Sequence, residues 1–416
     1  MCIVLLSAIE VELTMNKKTF GIFLSSCALS VFTLSLDAFP VHALANWRPL
    51  IEPGFGDKNN IATFPFMSYD RYLYAGTENS VTGAEIWRTS NLNNWVQVNQ
   101  DGFGNPDNIY GELSTFAFNS NLYIGTINDV TGAEVWRSSD GMNWEQVVTA
   151  GFGNSANTAI EMPVEFGGFL YAGTYNASGG GEIWRSSDGV TWTNLVSGGF
   201  GDTNNTEVIP YSVFDGYLYA GTGNEITGGE IWRSSDGVTW SQVGTDGFGS
   251  SNNTSISPYI VFDDYLYASL YNPVDGGQVW RSADGVSWIP TNFNDPTTLS
   301  LNPITIWNGA LYGSGVNLIN GAGVWKTDNG IDWVRINEYG FGNAANIAGC
   351  ANATFDTCLI SGTVNPTEGG SIFATCIPEP SSTLSLLALG TLGAASTLKR
   401  KLKPSQSIKK ETTKAG

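Results

Sequence analysis

Residues 170–174 read LYAGT, residues 182–192 read EIWRSSDGVTW, and a loop opening with GFG follows at residues 199–201. This stretch recurs along the chain with a period of about 48 residues. Its first tryptophan recurs at Trp87, Trp136, Trp184, Trp232, Trp280 and Trp325, and its GFG tripeptide begins at Gly54, Gly102, Gly151, Gly199, Gly247 and Gly340. A fixed period of this length, rich in β-branched and aromatic residues, predicts a solenoid or a β-propeller.

The two ends of the repeat array complement each other. The last unit runs from Gly340 to Cys376 and lacks its final tryptophan-bearing strand, whereas residues 46–51, with Trp47, supply such a strand before the first GFG loop. Pairing the N-terminal strand into the last unit would close a ring and leave only short sheet edges. The sequence therefore predicts an all-β fold, a seven-bladed β-propeller with four-stranded blades, over residues 46–376.

The third unit illustrates the expected strands. Its first strand is expected at residues 160–166 and its second at 169–174, joined by the tight turn Gly167-Gly168. The third is expected at residues 182–187 and the fourth at 192–197. Short strands separated by Gly, Asn and Asp turns favour all-β structure throughout.

Residues 1–45 read as a signal peptide region. Lys17-Lys18 precede a mostly apolar stretch at residues 21–36, and Ala43-Leu44-Ala45 is a small-residue cleavage site. Residues 1–14 do not fit such a peptide, so Met15 is the expected true start. The alternative is an uncleaved membrane anchor.

The C-terminal region carries a second sorting signal. Pro378-Glu379-Pro380 precede an apolar run at residues 384–398 and the basic cluster Lys399-Arg400-Lys401. An apolar run of this kind with a basic end favours a transmembrane helix. The order of the three parts resembles the PEP-CTERM signal. That resemblance implies processing by an exosortase and delivery to the outer surface or extracellular matrix, often in organisms that make exopolysaccharide. The sorting signal would occupy residues 377–403, with a basic tail at 404–416 and a transient inner-membrane anchor. A plain C-terminal anchor is the alternative.

The charge of the predicted propeller is strongly acidic. Residues 46–378 contain 10 Lys and Arg against 33 Asp and Glu. Such a surface repels nucleic acid and anionic membranes. It suits neutral glycans, cations or simply the solubility of an exported protein.

The cysteines predict one disulfide. If the loop at residues 365–369 joins two antiparallel strands symmetrically, Cys358 lies opposite Cys376, within reach of a disulfide that would staple the last blade. A slip of one residue in register would break the pair.

The segment Ser186 to Trp192 resembles the Asp-box, or BNR, repeat of sialidases and many other propellers. It recurs at residues 138–144, 234–240 and 282–288, with a weaker copy at 327–333. The resemblance implies a turn between the third and fourth strands, in which Asp accepts backbone N–H bonds and Gly takes a positive φ. It does not imply sialidase activity, because in that family the box lies away from the active site.

One asparagine recurs in every GFG loop. In a four-stranded blade, this loop and the loop between the second and third strands open on the same face, which usually carries the binding site in propellers. The amides could therefore bind sugar hydroxyls or help to hold calcium. The alternative is that each caps its own loop. The residues are Asn60, Asn108, Asn157, Asn205, Asn253 and Asn346.

Catalytic options are few. The only histidine, His42, lies in the signal peptide region, which removes histidine-based general base chemistry and Ser-His-Asp triads from the mature chain. Without Cys-x-x-Cys pairs a structural zinc is not expected. Glu112 and Glu161 occupy equivalent inner-strand positions in neighbouring units and could act as a glycosidase carboxylate pair, or simply be solvated channel residues. The central arginine cluster of sialidases is not matched.

The sequence thus predicts an exported, non-enzymatic binding or scaffold module, with glycan or exopolysaccharide as its ligand. One alternative is a carboxylate-dependent, sialidase-like glycoside hydrolase. The other is a purely structural surface protein.

Overall fold

A computed structural model describes residues 44–113 and 117–377. The predictions for the two ends of the chain lie outside these residues. They are the signal peptide apart from Leu44 and Ala45, the start at Met15, the sorting motif Pro378-Glu379-Pro380, the C-terminal helix and the basic tail. Of the predicted sorting segment, only Ile377 is described. The described residues up to Thr375 belong to one compact unit, and Cys376 and Ile377 belong to a second.

The described chain is built from short antiparallel strands. Six repeats contribute four strands each in sequence order, and the last contributes three. The N-terminal strand is β1 (Arg48–Pro49). The first, inner strands of the repeats are β2 (Ala62–Tyr69), β6 (Tyr110–Leu113), β10 (Ala159–Phe166), β14 (Glu207–Phe214), β18 (Ser255–Phe262), β22 (Ser300–Trp307) and β26 (Ala348–Phe355). The second strands are β3 (Tyr72–Glu78), β7 (Leu122–Ile127), β11 (Phe169–Tyr175), β15 (Tyr217–Gly223), β19 (Tyr265–Tyr271), β23 (Ala310–Val316) and β27 (Cys358–Val364).

The third strands carry the repeated tryptophan in most repeats, and the fourth strands follow one turn later. The third strands are β4 (Ile86–Thr89), β8 (Val135–Ser138), β12 (Ile183–Ser186), β16 (Ile231–Ser234), β20 (Gln278–Ser282), β24 (Gly323–Thr327) and β28 (Ile372–Cys376). The fourth strands are β5 (Trp95–Gln97), β9 (Glu145–Val148), β13 (Thr193–Val196), β17 (Ser241–Val243), β21 (Ile289–Pro290) and β25 (Val334–Arg335). The short helical turns Pro53–Gly56, Asp101–Gly104, Ala150–Gly153, Gly199–Gly201, Asp246–Gly249 and Tyr339–Gly342 form the GFG loops.

Neighbouring repeats are joined where a second strand ends and the next inner strand begins. Tyr175 at the end of β11 pairs with Glu207 at the start of β14, for example. The same kind of pairing links β3 to β6, β7 to β10, β15 to β18 and β23 to β26. Between β19 and β22 the N–H of Asn272 donates to the carbonyl oxygen of Leu299 at 2.9 Å.

The two ends of the array also meet. Arg48 in β1 pairs with Ala374 in β28, and Ala62 in β2 pairs with Val364 in β27. Both pairings are antiparallel and join segments more than 300 residues apart in the chain. The N-terminal strand therefore pairs with the third strand of the last repeat, where the sequence lacks a fourth.

The inner strands gather around a common centre. One hydrophobic cluster combines buried residues of the inner strands β2, β6, β10 and β26 with residues at the ends of the second strands β7, β19, β23 and β27, so these strands converge. Its members are Ala62, Phe64, Tyr110, Ile127, Ala159, Tyr271, Val316, Ala348 and Val364. Four-stranded antiparallel sheets arranged in this way are a β-propeller.

Cys358 and Cys376 are each disulfide-bonded; that they bond to each other stays a prediction. Among residues 44–113 and 117–377, no helix is long and apolar enough to cross a membrane. The predicted membrane span at residues 384–398 lies outside those ranges.

Candidate functional site

The six loop asparagines that were predicted to bind a ligand are buried beneath the GFG loops. The side-chain amide of Asn205 donates through Nδ2 to the carbonyl oxygen of Gly199 at 2.9 Å, and only 1% of the residue is exposed. Each of the other five makes the same bond to the first glycine of its own GFG tripeptide, at 2.8–2.9 Å. They are Asn60, Asn108, Asn157, Asn253 and Asn346.

The remaining bonds of Asn205 tie two further segments to the loop. Its Nδ2 also donates to Oε2 of Glu230 at 3.0 Å, and its Oδ1 accepts a bond from Nδ2 of Asn224 at 2.9 Å. Asn224 in turn accepts the N–H groups of Ile226 and Thr227, which fixes the loop between the second and third strands. This geometry fits the capping interpretation. Ligand binding by these amides stays a prediction, and the function proposed below does not depend on it.

The phenylalanine of five of the six GFG loops stacks on the repeated tryptophan, and that of the last loop, Phe341, stacks on Phe373. Phe200 stacks on Trp232 with ring centroids 4.2 Å apart and planes 7° apart, and its backbone adopts a positive φ of 61° to do so. The indole Nε1 of Trp232 donates to the carboxylate of Glu230. Burial raises the pKa of Glu230 above its ordinary value, and the hydrogen bonds from Trp232 and Asn205 offset part of that rise. Phe55, Phe103, Phe152 and Phe248 stack in the same way.

The Asp turn, defined as the Ser-x-Asp-Gly-x-x-Trp segment between third and fourth strands, is held by its own carboxylate. Asp188 Oδ1 accepts the N–H groups of Val190 at 2.8 Å and Thr191 at 2.7 Å, and the Ser186 hydroxyl donates to it at 2.9 Å. The bond from Thr191 contributes most to holding the pKa of Asp188 well below its ordinary value of 3.8. The repeated Asp and Gly residues therefore stabilise the scaffold.

Residues that depart from the repeat are the remaining candidates for function, because the repeated residues build the scaffold. The largest departures lie on the inner strands, two, four and six residues after the loop asparagine position. At the fourth position the residues are Phe64, Glu112, Glu161, Ile209, Ser257, Asn302 and Cys350. Charged and aromatic residues at such positions have no role that all repeats share.

Four of these departures come together on β10, β14 and β18. We call Glu161, Glu207, Tyr211 and Tyr259 the inner-strand cluster. The rings of Tyr211 and Tyr259 meet edge to face, with centroids 4.9 Å apart and planes 66° apart. The charges of Glu161 and Glu207 both act on the Tyr211 hydroxyl, and that of Glu207 acts on Glu161.

A β-bulge positions the two tyrosines. In β14 the register shifts between Pro210 and Ser212, and in β18 it shifts between Pro258 and Ile260, so Tyr211 and Tyr259 are the extra residues. Proline has no N–H to donate to the neighbouring strand, which suits it to a bulge, and a bulge redirects the side chain beside it. Both tyrosines therefore lie at the same structural position of adjacent repeats.

Burial shapes the electrostatics of the cluster. Glu207 is 1% exposed and Tyr211 is 7% exposed, whereas Glu161 is half-buried with its Oε1 atom out of contact with solvent. Burial raises the pKa of Glu161, and the nearby charge of Glu207 raises it further. Burial also raises the pKa of Tyr211 well above its ordinary value.

The predicted carboxylate pair is only partly placed. Glu112 pairs through its backbone with Gly125, but its side chain lies outside the described part of the structure. The carboxylate that acts on Glu161 is Glu207, which was not predicted from the sequence, and neither were Tyr211 and Tyr259. A signal was available, since Glu207 replaces small or aromatic residues such as Ala62 and Tyr110 at its repeat position.

Within the described ranges, no three His, Cys, Asp or Glu side chains are grouped so that they could hold a metal ion. Calcium binding by the loop asparagines stays a prediction.

Comparison with known proteins supports the fold. No protein-family model and no curated protein matches the sequence. The WD40 β-propeller domain of Doa1 aligns with 81% of this chain and 98% of its own, at a TM-score of 0.50 and 11% identity. The six-bladed fucose-recognising lectin of Aleuria aurantia aligns with 68% of this chain and 97% of its own, at a TM-score of 0.47 and 12% identity. Trypanosoma rangeli sialidase aligns with 79% of this chain and 56% of its own, at a TM-score of 0.39 and 14% identity. At 11% identity the likeness to the Doa1 domain bears on the β-propeller fold alone.

Proposed function

We propose that this protein is an exported, non-enzymatic binding module for glycan or exopolysaccharide, and that the inner-strand cluster contacts the ligand. The observation that carries the proposal is the convergence of Glu161, Glu207, Tyr211 and Tyr259 from three successive repeats. These residues depart from the repeat, so no role that all repeats share explains them.

The chemistry of the cluster suits a polyhydroxylated ligand. Carboxylates accept hydrogen bonds from sugar hydroxyls, and tyrosine offers both an apolar ring face and a hydroxyl that donates and accepts. Ligand sites in proteins commonly combine an aromatic wall with a few convergent polar groups. The bulges after Pro210 and Pro258 hold the two tyrosines in one arrangement, which lowers the entropy lost on binding.

We further propose that the fold is a ring of seven four-stranded blades, closed by β1. The pairing of Arg48 with Ala374 and that of Ala62 with Val364 support this closure. Export rests on the predicted signal peptide. Delivery to the outer surface or matrix, and processing by an exosortase, rest on the resemblance to PEP-CTERM signals.

The proposal is tested by measuring binding of the full chain to a panel of polysaccharides, with and without calcium. We expect saturable binding without product release, weakened at least tenfold by Glu161→Gln and by Tyr259→Ala, which change the two half-buried members of the cluster. Glu165→Gln is the matched control, because Glu165 lies exposed on the same strand as Glu161. Binding to none of the polysaccharides, or equal binding by all variants, would overturn the proposal.

A second candidate is a glycoside hydrolase in which Glu161 is the general acid. The raised pKa of Glu161 favours it, because a general acid must be protonated near the working pH. The partner carboxylate would be Glu207 or, as the sequence predicted, Glu112. Release of reducing ends that stops in Glu161→Gln, while binding persists, would establish hydrolysis.

A further inference from the structure

The loops between second and third strands carry exposed aliphatic side chains at one recurring position. This position, called the loop tip, lies two residues after the asparagine that begins each loop, such as Asn224 before Ile226. The side chains there are 62–72% exposed. They are Val81, Val130, Ile226, Val274 and Ile319.

The local fold does not require aliphatic residues at the loop tips. The turn is held by the asparagine side chain, since Asn224 Oδ1 accepts the N–H of Ile226 at 2.9 Å and that of Thr227 at 3.0 Å. These bonds involve only the backbone of the tip residue. Ser178 and Thr367 occupy the same position in two other repeats and make the equivalent N–H bonds to Asn176 and Asn365. Polar residues therefore fit, and five aliphatic side chains are exposed without a structural reason.

The loop tips are also held in place rather than free to move apart. Each supporting asparagine is itself buried and bonded to the loop that precedes the inner strand of its own repeat, as Asn272 is to Asn253 at 2.8 Å. A surface fixed in this way loses little entropy when a partner docks.

Charge indicates which partner fits the loop tips. Exposed acidic residues adjoin three of the five aliphatic tips, namely Asp129, Glu225 and Asp275, and Glu368 adjoins Thr367. No lysine or arginine occurs in these loops, at residues 79–85, 128–134, 176–182, 224–230, 272–277, 317–322 and 365–371. Exposed apolar side chains in loops that carry carboxylates and no basic residue complement a polypeptide surface that combines apolar and basic side chains. Anionic membranes would be repelled.

We propose that the loop-tip face docks a partner protein through a basic surface bearing apolar side chains. No loop-tip residue belongs to the inner-strand cluster, so variants of the loop tips and of the cluster test partner docking and glycan binding separately. The aliphatic tips supply contact area, and the carboxylates select for positive charge and speed the encounter.

The test uses the full chain and two labelled helical peptides, one built from leucine and lysine and the other from leucine and glutamate. Fluorescence anisotropy is expected to show saturable binding of the leucine–lysine peptide and no binding of the leucine–glutamate peptide. The variant Val130→Ser/Ile226→Ser/Val274→Ser, which keeps every charge, should weaken that binding at least tenfold. Serine fits the turn because Ser178 already occupies it.

A matched control is available on the Asp turns. Val190, Val238 and Val286 are 41–44% exposed at equivalent positions of those turns. Their triple serine variant also removes three exposed aliphatic side chains, from outside the loop tips, and should bind the basic peptide like the native chain. Equal loss in both variants, or no loss in either, would overturn the proposal. It would also be overturned if the loop tips bound phosphatidylcholine vesicles and not the peptide.

Discussion

The Tyr171 hydroxyl of one repeat lies against Gly237 in the Asp turn of the next. A Cβ atom on Gly237 would overlap the Tyr171 phenol oxygen, and Gly237 itself has a φ of +71°. The same contact recurs between Tyr74 and Gly141, Tyr123 and Gly189, Tyr219 and Gly285, and Tyr267 and Gly330. Glycine is therefore required in these turns both by the backbone conformation and by the tyrosine of the neighbouring repeat.

We expect Gly237→Ala to destabilise the protein by about 2–5 kcal/mol, combining about 1–2 kcal/mol for alanine at positive φ with about 1–3 kcal/mol for steric overlap. Gly216→Ala is the control, because Gly216 has a φ of +76° and a Cβ added there would meet no heavy atom within 4 Å. In denaturant unfolding, Gly216→Ala should lose only the part of the stability that comes from placing alanine at a positive φ, about 1–2 kcal/mol. Adding Tyr171→Phe should recover part of the Gly237→Ala loss and none of the Gly216→Ala loss. Equal losses in the two alanine variants would contradict the steric contact.

Much of the secondary structure could be predicted from the repeat. In the third repeat the expected strands end within one residue of β10, β11, β12 and β13 as the structure has them. Gly, Asn and Asp mark the turns because few other residues adopt their backbone angles, so the limits of the strands are visible in the sequence.

The candidate site was less predictable for two physical reasons. Tyr211 and Tyr259 meet only because of a register shift after Pro210 and Pro258, and strand pairing is not visible in a single strand's sequence. The loop asparagines are visible in the sequence, but their role is not. An amide that caps a buried loop and one that binds a sugar are the same residue type, and only burial and hydrogen bonds distinguish them.

We expect Asn205→Ala to lower the free energy of unfolding by about 3 kcal/mol, because it leaves the Gly199 carbonyl, the Glu230 carboxylate and the Asn224 amide without their shared partner. Asn204→Ala changes an exposed neighbour that bonds only to Asp202, and should stay within about 0.5 kcal/mol of the native value. Urea unfolding followed by tryptophan fluorescence measures both. A stable Asn205→Ala protein that fails to bind polysaccharide would instead favour direct ligand contact by the loop asparagines.

Replacing the Asp-turn carboxylates should reduce acid sensitivity. The folded-state pKa of Asp140, Asp188, Asp236 and Asp284 is lowered, mainly by backbone N–H bonds. Their stabilisation is therefore complete above the ordinary carboxyl pKa of 3.8 and is lost as the pH falls below it. Asparagine keeps the turn, since Asn91 and Asn329 already accept the same N–H bonds in other repeats. The fourfold Asp→Asn variant should show a smaller drop in melting temperature between about pH 6 and pH 3 than the native chain. An equal drop would mean that other carboxylates dominate acid unfolding.

Glu161→Gln should stabilise the protein at neutral pH and have little effect in acid. Burial first, and then the charge of Glu207, raises the folded-state pKa of Glu161 above its ordinary value of 4.5. A raised carboxyl pKa means that the folded state binds this proton more tightly than the unfolded state does. Stability is then highest below pH 4.5 and falls as the pH rises toward the folded-state pKa. Glutamine imitates the protonated form, so its advantage should be present at about pH 8 and absent at about pH 4. Melting temperatures of Glu161→Gln and of the control Glu165→Gln across this range provide the measurement. A Glu161→Gln protein that is less stable than the native chain at both pH values would show that the charged carboxylate is favourably held, and the general-acid role would then lose its physical basis.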